Sequence, residues 1–141
     1  MVVGKGIDGR AYVLADRSCR VTPTEWAQRV ANTFTEYGAN LIVAEKNQGG
    51  DLVETILRQQ NPGLPIRTVV AKRGKALRAE PVAALYEQGR VRHAGVFPEL
   101  EDEMCSALGE GMKSPDRLDA LVWAVSDLML RRQAEPRVRV V

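Results

Sequence analysis

Glu45 closes the apolar run Leu41-Ile42-Val43-Ala44 and leads into Lys46-Asn47-Gln48-Gly49-Gly50. Far along the chain, Ser114-Pro115 precede Asp116-Arg117-Leu118-Asp119-Ala120-Leu121-Val122-Trp123-Ala124. A carboxylate at the end of a buried strand does nothing for packing. Open α/β sheets place their sites at that end of the strands. Acids spaced i, i+3 in the first turn of a helix share one face. Brought together, Glu45, Asp116 and Asp119 would form an all-oxygen site for a hard divalent cation, Mg²⁺ or Mn²⁺. That is the chemistry of metal-assisted phosphodiester hydrolysis.

Each acid also has a plainer explanation. Glu45 could reach solvent or pair with Lys46. Asp116 suits the first turn of a helix through its dipole and cap. Asp119 is harder to dismiss. It lies inside an apolar helix, and a partly buried carboxylate needs a partner, of which a cation is one. The loop Asn47-Gln48-Gly49-Gly50 either offers backbone N–H groups to phosphate or simply joins a strand to a helix. Lys72, Arg73, Lys75 and Arg78 form the one dense basic cluster. It is either a solvated surface loop or a grip on a phosphate backbone. The single histidine, His93, reads as structural, and Trp26 and Trp123 as core. There is no nucleophile elbow, P-loop or zinc signature.

The elements that must position these residues follow from pattern. Met1 to Lys5 reads as a strand, Gly6 to Arg10 as a turn built on Asp8-Gly9, and Ala11 to Ala15 as the returning strand. Thr22-Pro23-Thr24-Glu25 is a capping box with proline at the first helical position. Trp26, Val30, Phe34 and Tyr37 continue that helix, and Gly38 ends it. Leu41 to Glu45 is a strand covered on both faces. A helix with Leu52, Val53, Ile56 and Leu57 inward precedes a strand over Ile66 to Ala71. Lys75 to Gln88 is helical, with Pro81 starting, kinking or splitting it. Arg90 to His93 is a short edge strand. Helices follow after Phe97-Pro98 and from Asp116 to Arg132. The order β-β-α-β-α-β-α-β-α-α predicts a mixed α/β sheet with helices on both faces.

Size and composition set the bounds. The 141 residues suit one domain with a hydrophobic core, over residues 1–133, and a tail over 134–141. The balance of 45% hydrophobic and 27% charged residues is that of a soluble globular protein. A net charge of +2 means that any grip on nucleic acid must be local. No apolar stretch is long enough to span a bilayer, and no signal peptide is evident. Cys19 and Cys105 have no metal-binding spacing and are expected as free thiols in a reducing cytoplasm.

Taken together, the chain resembles the C-terminal nuclease domain of a tailed-phage terminase large subunit, a branch of the ribonuclease-H-like superfamily. Val43 to Gly50 is similar to that family's second acidic motif, and Asp116 to Ala124 to its third. The segment Lys72-Arg73-Gly74-Lys75 through Arg78-Ala79-Glu80-Pro81 and on to Tyr86, Gly89 and Val91 also resembles these proteins. The resemblance implies a ribonuclease-H-like mixed sheet, with a leading antiparallel hairpin and then parallel strands. It implies a metal-dependent endonuclease that cuts concatemeric double-stranded DNA during genome packaging. Glu45 and Asp119 would be metal ligands and Asp116 an additional catalytic acid, around two Mg²⁺ or Mn²⁺ ions. Lys72, Arg73, Lys75, Arg78 and Asn47 would face DNA. Partners would be a terminase ATPase domain, the small terminase subunit and the portal, in the cytoplasm of a host cell, with no membrane.

The chain departs from the family's pattern at one place. The family's first catalytic acid is an Asp on an opening strand ahead of the hairpin, and no residue here stands there. Asp8 falls in a turn and Asp16 after the following strand. The domain is therefore expected to lack its first strand, to be weakly active, and to dimerise through the exposed sheet edge. No Walker motif of a packaging ATPase is present. Two other functions compete: a Holliday-junction-resolvase-like nuclease, and a non-catalytic module that docks on DNA or the portal.

Overall fold

The computed structural model describes residues 1–46, 52–106 and 116–131. Two strands open the fold, β1 (Val2–Lys5) and β2 (Ala11–Ala15), paired antiparallel. Their turn closes with Gly6 N–H donating to the Arg10 carbonyl at 2.8 Å, and Gly9 adopts φ 79°. Asp8 accepts from Arg10 and Tyr12 within this turn and so helps to hold it. Helix α1 (Pro23–Glu36) starts on the expected capping box. Glu25 N–H donates to Thr22 Oγ1, and Thr22 N–H donates to Glu25 Oε2. Gly38, at φ 55°, follows the helix end.

Strand β3 (Ile42–Glu45) is followed by α2 (Leu52–Gln60) and β4 (Ile66–Val69). The strands β3 and β4 run parallel, with Glu45 opposite Val69. Helix α3 (Lys75–Glu87) runs continuously with Pro81 inside it, so the proline neither starts nor splits it. Strand β5 (Val91–His93) pairs parallel with β2, at the sheet edge as expected. Helices α4 (Pro98–Ser106) and α5 (Asp116–Val125) complete the element order read from the sequence.

Two details correct the expectations. The last helix is not α-helical to Arg132. A π-helical turn, Ser126–Leu130, succeeds α5, and Arg131 N–H donates to the Ser126 carbonyl five residues back. The described strands also do not form one sheet. They form a three-stranded sheet in the order β1-β2-β5 and a two-stranded sheet of β3 and β4. The strands β1 and β3 do not pair. Met1 to Val3 and Leu41 to Val43 instead line one cavity of about 1060 Å³.

The main core joins Ala11, Val13 and Val91 of the three-stranded sheet to Val82 and Leu85 of α3, Leu100 of α4, and Leu121, Val122 and Val125 of α5. The helices α1 and α2 pack on each other outside this cluster, burying Ala27 and Leu57. Burying a Leu or Val side chain is worth about 1.5–3 kcal/mol. The core therefore ties α5 firmly to α3, the helix it must meet at the site. Among the described residues, no helix is long and apolar enough to cross a membrane.

Candidate active site

Glu45 ends β3 as expected, and pairing with β4 continues just past it: Lys46 N–H donates to the Val69 carbonyl at 2.7 Å. Alternation along the strand buries Ala44 and leaves Glu45 half-buried on the other side. Asp119 lies in the first turn of α5, where its side chain is only 12% exposed. The two carboxylates, 74 residues apart in sequence (119 minus 45), meet through a third residue. Arg78 of α3 donates from Nη2 to Asp119 Oδ1 at 2.6 Å, and its Nη1 lies 3.5 Å from Glu45 Oε1. Lys75, one turn earlier on α3, sets its Nζ 3.7 Å from Asp119 Oδ2.

The Arg78 guanidinium also lies over the ring of Trp123, with its central carbon 4.8 Å from the ring centroid. A cation over an indole face is attracted by the ring quadrupole. Trp123 is therefore not the core residue expected of it. It lies half-buried beside the site, and Trp26 is likewise half-buried on the same cavity. Arg78 Nε and Trp123 Nε1 are buried and have no hydrogen-bond partner among the described residues.

Asp116 lines the same cavity as Glu45 and Asp119 and is exposed. Among the described residues, no group of three or more His, Cys, Asp or Glu side chains draws close enough to hold a metal ion. The acids that converge on one point are Glu45 and Asp119. Their oxygens suit a hard cation, and Mg²⁺ is commonly held by one or two carboxylates with water and substrate phosphate filling the rest. The donor set thus fits Mg²⁺ or Mn²⁺ at the point that a guanidinium holds in this structure.

A second acid–base cluster fixes the start of α5. Glu103 of α4 accepts the backbone N–H groups of Arg117 (2.9 Å) and Leu118 (3.0 Å) on Oε2, and its Oε1 pairs with Arg117 Nη1. Arg117 Nε also donates to Asp16 Oδ2 at 2.8 Å. Burial pushes the Asp16 pKa up, but hydrogen bonds from Ser18 and Arg117 outweigh it and hold the carboxyl below its ordinary value. Asp16 is therefore a structural partner of α5. A third pair joins Arg67 of β4 to Asp127 in the π-helical turn at 2.5 Å.

Of the basic cluster, Lys72, Arg73 and Lys75 are exposed between β4 and the first turn of α3, and Lys75 lies beside Asp119. Arg78 is not, because only 10% of its side chain is exposed. Asn47 lies outside the described residues, as do the glycines after it and the tail. His93 is held between Tyr86 Oη on Nε2 (2.8 Å) and Glu101 on Nδ1 (3.1 Å), with Phe97 N–H also on Glu101. Burial pushes the Tyr86 phenol up, and the Glu101 charge adds to the rise. The sequence reading missed Arg78 as the bridge between the acids, and Asp127. A signal existed for both. Asp119, Trp123 and Asp127 are spaced by four, a single helix face, and Lys75 and Arg78 are spaced by three.

A hairpin, parallel strands and packed helices, with acids from a strand end and a distant helix start on one cavity, make a mixed α/β domain consistent with the ribonuclease-H-like class. The chain belongs to the terminase RNaseH-like domain family, whose model matches residues 1–128. Neither a curated protein nor a solved structure gives a significant match.

Proposed function

We propose that this terminase nuclease domain is a metal-dependent endonuclease acting on double-stranded DNA, in particular on concatemers during packaging. The observation that carries the reading is the convergence of Glu45 and Asp119 on a single cationic centre beside an exposed basic cluster. Glu45 and Asp119 hold the metal. Asp116 serves as an additional acid on the same cavity. Lys72, Arg73 and Lys75 take the phosphate backbone, which positions DNA without reading its sequence. Bound Mg²⁺ or Mn²⁺, as a pair in this family's manner, would supply an activated water and neutralise charge on the phosphate. Two converging acids among the described residues, rather than three, support weak activity for this chain by itself.

The edges of β1 and β3 that pair with no strand among the described residues support partnership through strand addition, with a second copy as the simplest partner. The terminase ATPase domain, small subunit and portal are the further partners proposed, in host cytoplasm. Light scattering that gives a monomer at high concentration removes the homodimer.

The functional test is cleavage of supercoiled, linear and four-way-junction DNA by the purified chain in Mn²⁺, Mg²⁺ or EDTA. Slow Mn²⁺-dependent cutting of duplex, lost in Glu45→Gln and Asp119→Asn, is expected. Preference for the junction would favour a resolvase-like enzyme. Salt-sensitive binding without cutting in any metal would favour a docking module. Cutting that survives both substitutions refutes the site.

A further inference from the structure

We propose that Arg78 is the resident cation of the Glu45–Asp119 site, and that a divalent metal binds only by displacing it. The inference rests on the metal-site reading above and adds a competition to it. Without a counter-charge, Glu45 and Asp119 would repel each other across a half-buried cleft, and a buried charge needs a partner. Arg78 supplies that partner with separate nitrogens, Nη2 on Asp119 at 2.6 Å and Nη1 near Glu45 at 3.5 Å. It lies where a metal shared by these two acids would lie.

Two observations support a contact that can exchange. Arg78 is nine-tenths buried, yet its Nε has no partner among the described residues, an unusual cost for a buried guanidinium. The Glu45 contact is long while the Asp119 contact is short, so the fork is unevenly seated. A residue whose whole task was to brace α3 against α5 would be expected to satisfy all of its donors. Arg78 instead balances charge while leaving one donor open. Its planar fork matches phosphate as well as carboxylate. Once displaced, it has an acceptor of equal quality in a DNA phosphate held by Lys75 and its neighbours. Metal loading is then coupled to DNA arrival, because the phosphate stabilises the state in which Arg78 has left the acids.

Trp123 reports the exchange, since the guanidinium stacks on its ring at 4.8 Å. The experiment has two arms. In the first, Mn²⁺ is titrated calorimetrically into the wild-type chain, Arg78→Gln, Arg78→Lys and Glu45→Gln. Arg78→Gln is expected to bind about tenfold more tightly than wild type, the factor that one lost charge-assisted hydrogen bond amounts to. Arg78→Lys should fall between them, and Glu45→Gln should weaken binding. In the second arm, Mg²⁺ is titrated into Trp26→Phe protein, which leaves Trp123 as the sole indole emitter, and its emission should shift as the guanidinium leaves. This arm needs no change at Arg78 and stands even where Arg78→Gln does not fold. Wild type and Arg78→Gln binding Mn²⁺ equally, or Arg78→Gln binding it more weakly, overturns the proposal and leaves the metal site standing. So does a Trp123 signal that stays flat while calorimetry shows binding. Absence of Mn²⁺ binding in every variant overturns the metal site itself, and the competition with it.

Discussion

Replacing Glu103 with alanine removes the acceptor that anchors the start of α5, and α5 carries Asp116 and Asp119. The Glu103 side chain is only 17% exposed, and its Oε2 takes two first-turn N–H groups, Arg117 at 2.9 Å and Leu118 at 3.0 Å. Hydrogen bonds to a charged group are worth about 1.5–3 kcal/mol each, and loss of a helix cap about 1 kcal/mol. The two N–H groups share one oxygen and water can reach the helix end, so the contributions do not add in full. A net loss of about 2–3 kcal/mol is expected. For a domain of this size that lowers the melting temperature by roughly 6–10 °C. Glu103→Gln keeps an acceptor oxygen but loses the charge and the pair with Arg117, and should cost about half as much. The assay is a thermal melt followed by far-UV circular dichroism at pH 7. Glu103→Ala melting within about 1 °C of wild type would refute the view that α4 holds α5 in place through this carboxylate.

Three further outcomes are expected. Thr22→Ala removes one half of the capping box on α1 and should lower stability by about 1 kcal/mol, read as a shift in the urea midpoint. Asp16, with its pKa depressed by Ser18 and Arg117 against an ordinary value of 3.8, contributes stability that is full above that value. That stability is lost as pH falls through the lower, folded value. Denaturation from pH 6 to 2.5 should therefore show a shallower acid decline for Asp16→Asn, and identical slopes would remove Asp16 as a stabilising acid. Arg67→Met leaves Asp127, 14% exposed, with Arg131 alone at 3.3 Å. Because Arg67 is itself 36% exposed, the loss is discounted to about 1 kcal/mol. The double variant Arg67→Met with Asp127→Leu should regain most of it.

The local elements were legible because their causes are local. The Thr22–Glu25 box, Pro23 at the first turn, Asp8-Gly9 at the hairpin and Gly38 after α1 each satisfy a backbone requirement that a few adjacent residues can state. The division into two sheets was not legible. Apolar pattern tells which residues are covered, and Leu41 to Glu45 reads the same whether β3 has neighbours on one side or two. Which strands bond is decided by the placement of the other elements, and here β1 and β3 face a common cavity instead of each other. The π-helical turn escaped for a similar reason. Leu128 and Met129 keep an apolar spacing that an α-helix also allows, while the five-residue hydrogen bond to Ser126 leaves no mark in composition.

At the site, the meeting of Glu45 and Asp119 was legible, while their contact with Arg78 was not. Glu45 and Asp119 stood out because a carboxylate in an apolar setting must be answered by something. That argument names a cation without saying which one. Arg78 was grouped with Lys72, Arg73 and Lys75 as a surface charge, because nearness in sequence was read as nearness in role. The α3 helix separates them: Lys72 and Arg73 precede it, while Arg78 lies one turn inside, where the helix turns it toward α5 and Trp123. The same geometry explains why Trp123 left the core. An indole that stacks on a guanidinium must present a face to it, and it stays half-buried at the cavity wall. A cationic residue three or four places from a loop cluster, opposite an acid in an apolar helix, is thus better read as that acid's counter-charge than as part of the cluster.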